Sequence, residues 1–318
     1  MKENKEELNQ VCKSVGEALY SNFKPLSLPL YKPLKAEDKR EEYSVLTLSD
    51  LHIGMKNKVF DSTVGRDVVT YNLAIFEKEL AGLQTSIFQI HRLLSQSYNL
   101  NTLYINILGD VITNDRIFEE QIFEIEKCVG LQIWEHAVPN LASLINNLLK
   151  IYKKIIVTCI VGNHGRSNPG MYNEPVENNF EYFLYKALQK QFEKHSRITI
   201  NVPNTRECIV QIGKWKHLLM HGDSLRGFTP NTIQRQIEQL YVNMGGFDIL
   251  EMGHFHKLTE TELADKVVVK TNGCWIPKDN YAFKQFKSYS IPKQWFFGCN
   301  DRRPETWSFK IDLRGIIR

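Results

Sequence analysis

Ser49-Asp50-Leu51-His52, Gly109-Asp110, Gly162-Asn163-His164, His221-Gly222-Asp223 and Gly253-His254-Phe255-His256 share one position: each falls where a run of strand-forming residues ends. Asp50, Asp110, Asn163 and the histidines 52, 164, 221, 254 and 256 supply enough oxygen and nitrogen donors for two metal ions that share one bridging carboxylate. That is the equipment of metal-assisted phosphate ester hydrolysis. Two ions ~3.5–4 Å apart can clamp a phosphate and lower the pKa of a water between them.

The elements that must position these residues alternate along the chain. Strands are expected over 44–48, 102–108, 154–161, 198–202, 207–212, 217–220, 247–251, 267–270 and 307–313. Helices are expected over 71–94, 177–193 and 230–244, with a long helical region over 117–152 broken near Pro139. Early strands alternate with helices and later strands follow one another closely, which favours an α/β layered fold with mixed sheets. Loops at the carboxyl ends of strands carry function because they vary over a rigid scaffold.

Residues 1–42 read as a separate piece, an amphipathic helix over 5–23 followed by a Pro-containing linker. The main domain is then expected over 43–318. The charged N-terminus is no signal peptide, and no stretch reaches the ~20 apolar residues of a membrane span. A net charge of +4 permits a polyanionic substrate without requiring one. The six cysteines include no Cys-x-x-Cys pair, so they read as buried thiols in a reducing compartment, the cytoplasm.

In an extended chain, side chains at i and i+2 point the same way. Asp50 and His52 can therefore reach one ion, and His254 with His256 repeats the geometry. Asp110 has two oxygens and can bridge. Asn163 offers a carbonyl oxygen and His221 an imidazole nitrogen. Mixed Asp, Asn and His donors suit Mn²⁺ first, with Fe²⁺, Zn²⁺ and Ni²⁺ also compatible. His164, beside Asn163, is placed to donate a proton or hydrogen bond to the phosphate or leaving oxygen.

The five blocks, in this order from residue 50 to residue 256, resemble the calcineurin-like metallophosphoesterases. The resemblance implies a four-layer α/β metallophosphoesterase sandwich, two mixed β-sheets flanked by helices. It implies Asp50, His52 and His256 on one metal, Asn163, His221 and His254 on the other, Asp110 bridging, and His164 as catalytic acid or transition-state stabiliser. Ser-Asp-Leu-His-Ile-Gly most resembles the Mre11/SbcD-type DNA repair exonucleases, which implies a phosphodiesterase acting on DNA. Those nucleases carry a capping domain and helices that dock an ATPase. The chain stops at Arg318 soon after a late strand, which leaves such a partner open. The family pattern has Asp or Glu after Gly-Asn-His. Here Gly165-Arg166 follows, so the group that orients His164 is not apparent, and Arg166 becomes a candidate phosphate-binding residue.

Other residues carry plainer readings. His91, His136, His195 and His217 are expected to be core or surface histidines, His217 least securely because it shares a strand with His221. Asp223 either supports His221 or shapes a turn. Asn114, Asp115 and Arg116 read as a helix start. Trp295, Phe296, Phe297 and Trp307 with Arg302-Arg303 read as core strand and charged turn rather than a stacking surface for single-stranded nucleic acid. The apolar stripe over 131–150 serves the core or a homodimer contact equally well. Two rivals to the nuclease reading are a phosphomonoesterase acting on nucleotides or phosphoproteins, with Arg166 or Arg226 on the phosphate, and a non-catalytic scaffold of DNA replication or repair.

Overall fold

The computed structural model describes residues 39–118, 121–170, 173–226, 230–263, 267–278 and 291–316, together with Gln10, Lys13 and Ser14. Contacts divide the chain into Met1–Asp38 and Lys39–Arg318. The helix and linker expected over 1–42 lie almost wholly outside the described residues.

Lys39–Arg318 is built on two mixed sheets. The first has six strands, in the order β13 (Arg303–Asp312), β12 (Lys293–Asn300), β1 (Arg40–Leu48), β4 (Tyr98–Leu108), β5 (Lys154–Ile160) and β6 (Ile198–Asn201). Strands β1, β4, β5 and β6 run parallel, and β12 is antiparallel to both β1 and β13. The second has five, in the order β10 (Thr259–Leu263), β11 (Val267–Thr271), β9 (Ile249–Met252), β8 (Trp215–Met220) and β7 (Glu207–Ile212). A hairpin of β2 (Asn57–Asp61) and β3 (Arg66–Tyr71) stands apart from both sheets.

Side-chain alternation sorts the layers. Leu103, Ile105 and Ile107 of β4 and Leu46 and Leu48 of β1 join one core with helices α1 (Leu73–Leu94), α2 (Val138–Leu148) and α3 (Phe180–Gln191). The alternate residues face the second sheet: Val45 with Ile212, Ile249, Trp295 and Phe297, and Leu108 with Ile160 and Leu219. Helix α4 (Pro230–Asn243) covers the outer face of the second sheet through Ile237, which packs with Leu218, Met220, Leu250 and Met252. The result is the expected four layers: helices, sheet, sheet, helix. Burying one such aliphatic side chain contributes ~1.5–3 kcal/mol.

One polar cluster crosses the interface between the sheets. Glu251 accepts from Thr47 Oγ1 at 2.6 Å and Asn106 Nδ2 at 2.9 Å, and faces His217 Nδ1 at 2.7 Å. Burial alone would raise its carboxyl, but these donors outweigh burial and hold it below its usual range. His217 is thus a core histidine. Trp295, Phe296 and Phe297 are buried in β12, so they present no stacking surface.

Residues 117–152 do not form one helical region broken near Pro139. A 3₁₀ turn (Gln121–Glu124), an α-helical turn (Val129–Leu131) and a π turn (Gln132–Ala137) precede α2. Pro139 is the second residue of α2, and the π turn that runs directly into it is where the helix adjusts to a residue without an N–H. Leu141, Leu144, Ile145 and Leu148 are core residues.

Candidate metal centre

Strands β1, β4, β5, β8 and β9 end beside one another, and their exits interlock. The Asp50 amide donates to Gly109 O at 3.1 Å and the His52 amide to Asp110 O at 3.0 Å, while Gly253 N donates to His221 O at 2.9 Å. Gly109 and Gly162 allow the closest approach. A Cβ on Gly109, which has φ +81°, would lie 2.5 Å from Gly162 Cα, and one on Gly162 would lie 2.2 Å from Asp110 Oδ1. Side chains at either position would push Asp110 and Asn163 apart.

The motif residues are not extended, as the i, i+2 argument assumed. Asp50 (φ 54°), His52 (47°), Asp110 (52°), His254 (66°) and His256 (55°) all adopt the left-handed conformation. Such residues cost ~1–3 kcal/mol each and persist only where their surroundings over-determine them. Five of the seven expected ligands carry this strain. Asp50 and His52 converge because the chain turns sharply at each.

The donor atoms form two main groups, and a third cluster joins them, in which His52, Asp110 and His164 place donor atoms within 4.8 Å of one another. In the first, His52 Nε2 lies 3.2 Å from His256 Nε2, and His256 Nε2 lies 3.5 Å from Asp50 Oδ1. In the second, His221 Nε2 lies 3.0 Å from both Asn163 Oδ1 and Asp110 Oδ2, and the donor atoms of Asp110, His221 and His254 lie within 4.8 Å of one another. Two nitrogens ~2.0–2.1 Å from one tetrahedral ion would be about 3.3 Å apart, so these separations, which are also hydrogen-bond distances, have room for shared coordination. His52 is 1 % exposed, and its Nδ1 has no hydrogen-bond partner. Facing imidazole nitrogens and two buried carboxylates fit divalent ions.

The electrostatics agree. Burial opposes charge on Asp50 and Asp110, yet His256 and His221, respectively, lead the groups that hold their carboxyls below the usual range. Burial brings His52 down to about 3 and His254 down to about 4, so both imidazoles are neutral and can coordinate. Burial also opposes charge on His221, but Asp110 raises it to about 10. That imidazole holds a proton where an ion would sit. His221 Nδ1 faces Leu108 O at 2.7 Å, which fixes the ring and directs Nε2 at the site.

Asp110 divides its oxygens. Oδ1 accepts from the His164 amide at 2.8 Å, and Oδ2 faces His221 and, at 4.0 Å, His164 Nε2. Among the described residues no carboxylate binds His164 Nδ1. Its Nδ1 meets Thr113 O at 2.9 Å and Gln121 Nε2 at 3.1 Å. Asn114, expected at a helix start, instead sits fully buried at φ 68° and donates to His164 O and Arg166 O at 2.7 and 2.9 Å. Asp223 binds Arg166 Nη2 at 2.8 Å, while Leu108 orients His221. Arg166 is 5 % exposed, with one edge of its guanidinium on that carboxylate.

The sequence reading missed three participants. Glu181 of α3 accepts from Val111 N at 2.5 Å and Gly162 N at 2.7 Å. Gln121 reaches His164 from a segment with no motif. Cys274 brings its sulfur within 4.8 Å of the donor atoms of His52 and His256. Asn272-Gly273-Cys274 follows β11, a sixth strand exit of the kind that carries the other motifs.

No family model matches the chain, and no curated protein matches it. Among solved structures it is similar to vacuolar protein sorting 29 from Cryptosporidium parvum, at 16% identity over 86% of this chain and 99% of that one, TM-score 0.39. It is also similar to the Zn²⁺ complex of Vps29 from Entamoeba histolytica, at 13% identity over 85% and 99%, TM-score 0.36. A predicted phosphoesterase from Streptococcus pneumoniae gives 8% identity over 85% and 98%, TM-score 0.34. Likeness of this degree assigns neither family nor activity. The functional reading rests on the side chains.

Proposed function

We propose that this protein is a two-metal phosphoesterase of the calcineurin-like kind, and that its substrate is a phosphodiester, DNA in the first instance. The carrying observation is the pair of donor groups that meet at Asp110. Asp50, His52 and His256 would hold one ion and Asn163, His221 and His254 the other, with Asp110 between them. Two such ions polarise a phosphoryl oxygen and acidify a water. Mn²⁺ is the first candidate from the oxygen and nitrogen donors, with Fe²⁺, Zn²⁺ and Ni²⁺ following.

His164 presents Nε2 beside Asp110, and its ring lies 4.6 Å from that of His52. In this reading it donates to the phosphate or to the leaving oxygen, while Thr113, Gln121 and Asn114 fix its ring and backbone. Two features support a diester of nucleic acid over a monoester. Arg166 is already paired to Asp223, so it brings no net charge for a phosphate dianion. A large apolar side chain is also exposed beside His164: Phe118 is 54 % exposed with its ring 5.3 Å from that of His164. Bases stack on such rings at ~1–3 kcal/mol each. Among the described residues no helix is long and apolar enough to cross a membrane. A reducing, cytoplasmic setting for the thiols belongs to the same proposal.

The test is Mn²⁺-dependent hydrolysis of bis-p-nitrophenyl phosphate, p-nitrophenyl phosphate and labelled single- and double-stranded DNA. Diester and DNA cleavage that Asp110→Asn abolishes is the expected result. Monoester cleavage with intact DNA would replace it with the phosphatase reading. No divalent-ion binding would leave a scaffold.

A further inference from the structure

Cys274 occupies a place that no motif predicts. It lies in the loop after β11, is fully buried, and its sulfur, His52 and His256 place donor atoms within 4.8 Å of one another. The loop is built to hold it there. Trp275 N donates to Asp50 O at 3.1 Å, which ties the loop to a ligand's own backbone. Asn272 donates to Thr47 O at 3.0 Å and accepts from Trp295 N at 3.0 Å. Gly273 has no room for a side chain, because a Cβ would lie 2.6 Å from Lys293 O.

The sulfur has a polar partner on each side. Ile276 N donates to Sγ at 3.3 Å. The thiol proton has an acceptor, Asp50 O at 3.5 Å. Beside the sulfur, His52 is buried and its Nε2 faces the His256 Nε2 at 3.2 Å. This pair of facing nitrogens points to an ion independently of the cysteine.

We infer that Cys274 is a ligand, as a thiolate, of the ion held by Asp50, His52 and His256. The inference rests on the proposed metal centre and adds sulfur to its donors. On binding, the S–H bond breaks, the sulfur pair goes to the ion, and the proton leaves to buffer. A thiolate is softer than the carboxylate, amide and imidazole donors, so this half of the centre would prefer Zn²⁺ or Fe²⁺ to Mn²⁺. The two halves would then differ in metal preference.

Co²⁺ titration of the whole protein tests this by absorbance. Expected are visible ligand-field bands together with a near-ultraviolet thiolate-to-cobalt charge-transfer band. In Cys274→Ser the charge-transfer band should vanish while the visible bands persist. Zn²⁺ affinity of that variant should fall about tenfold or more, with Mn²⁺ affinity changing far less. Visible bands without charge transfer in the unaltered protein would overturn the role of Cys274 and leave the metal centre standing. No cobalt spectrum at all would overturn both. The spectrum of the unaltered protein decides the matter even if the variant fails to fold.

Discussion

The Glu181 carboxylate takes the Gly162 amide at 2.7 Å on one oxygen and the Val111 amide at 2.5 Å on the other. One helical side chain therefore clamps the loop that carries Asp110 to the loop that carries Asn163. Burial raises this carboxyl to about 7, the cost of placing it there. Glu181→Ala should leave two buried amides without acceptors and loosen both loops. Metal affinity should fall ~10–100-fold, by analogy with other residues that orient ligands. Calorimetric metal titration beside circular dichroism checks this; unchanged affinity in a folded variant would contradict it.

The His164 ring lies 4.6 Å from that of His52, its Nε2 is 4.0 Å from Asp110, and backbone and amide groups orient it. His164→Ala should keep both ions and lose turnover, by ~10²–10⁴-fold if proton donation is its role. Metal analysis and diester kinetics on one sample separate these effects. Loss of the ions would mean that His164 is itself a ligand.

Gly162→Ala should be more damaging to the site than its size suggests. The added methyl would meet Asp110 Oδ1 at 2.2 Å and Asp110 N at 2.4 Å. Overpacking of this kind costs ~1–3 kcal/mol of stability, and here the strain falls on Asp110, the carboxylate proposed to bridge. A modest drop in Tm with a large loss of metal binding is expected. A variant that binds metal normally would show that the Asp110 loop can move aside.

Glu79 offers a stability test remote from the metals. It is buried on α1, and burial, with Asp312 adding to it, pushes its carboxyl up to about 8 from a normal 4.5. Between those values the folded chain keeps a proton that the unfolded chain has lost. Stability from this group therefore falls as pH rises through the window, at ~1.4 kcal/mol per unit. Glu79→Gln should remove that slope, matching the unaltered protein near pH 5 and exceeding it by a few kcal/mol near pH 9. Urea unfolding at both pH values measures it, and parallel curves would refute the assignment.

The sequence alone marked the candidate donors and the strand ends that carry them. Motifs at strand exits are local: a glycine that lets the chain turn, then a ligand. The alternation of strands with helices likewise marked the parallel part of the first sheet and the mixed character of the whole. The hairpin β2–β3 escaped notice because its residues are largely exposed and lack a buried face to impose period-two patterning.

Tertiary structure decided what orients the ligands. Leu108 O behind His221 and Thr113 O behind His164 are backbone groups, so no side-chain type announces them. Glu181, Gln121 and Cys274 act from elements far along the chain, and nothing local separates them from an ordinary helix residue or a buried thiol. The left-handed conformation of five ligands was equally invisible, because Asp and His have no fixed preference for it. That strain is held in place by hydrogen bonds from neighbouring strand ends, which exist only once both sheets have formed.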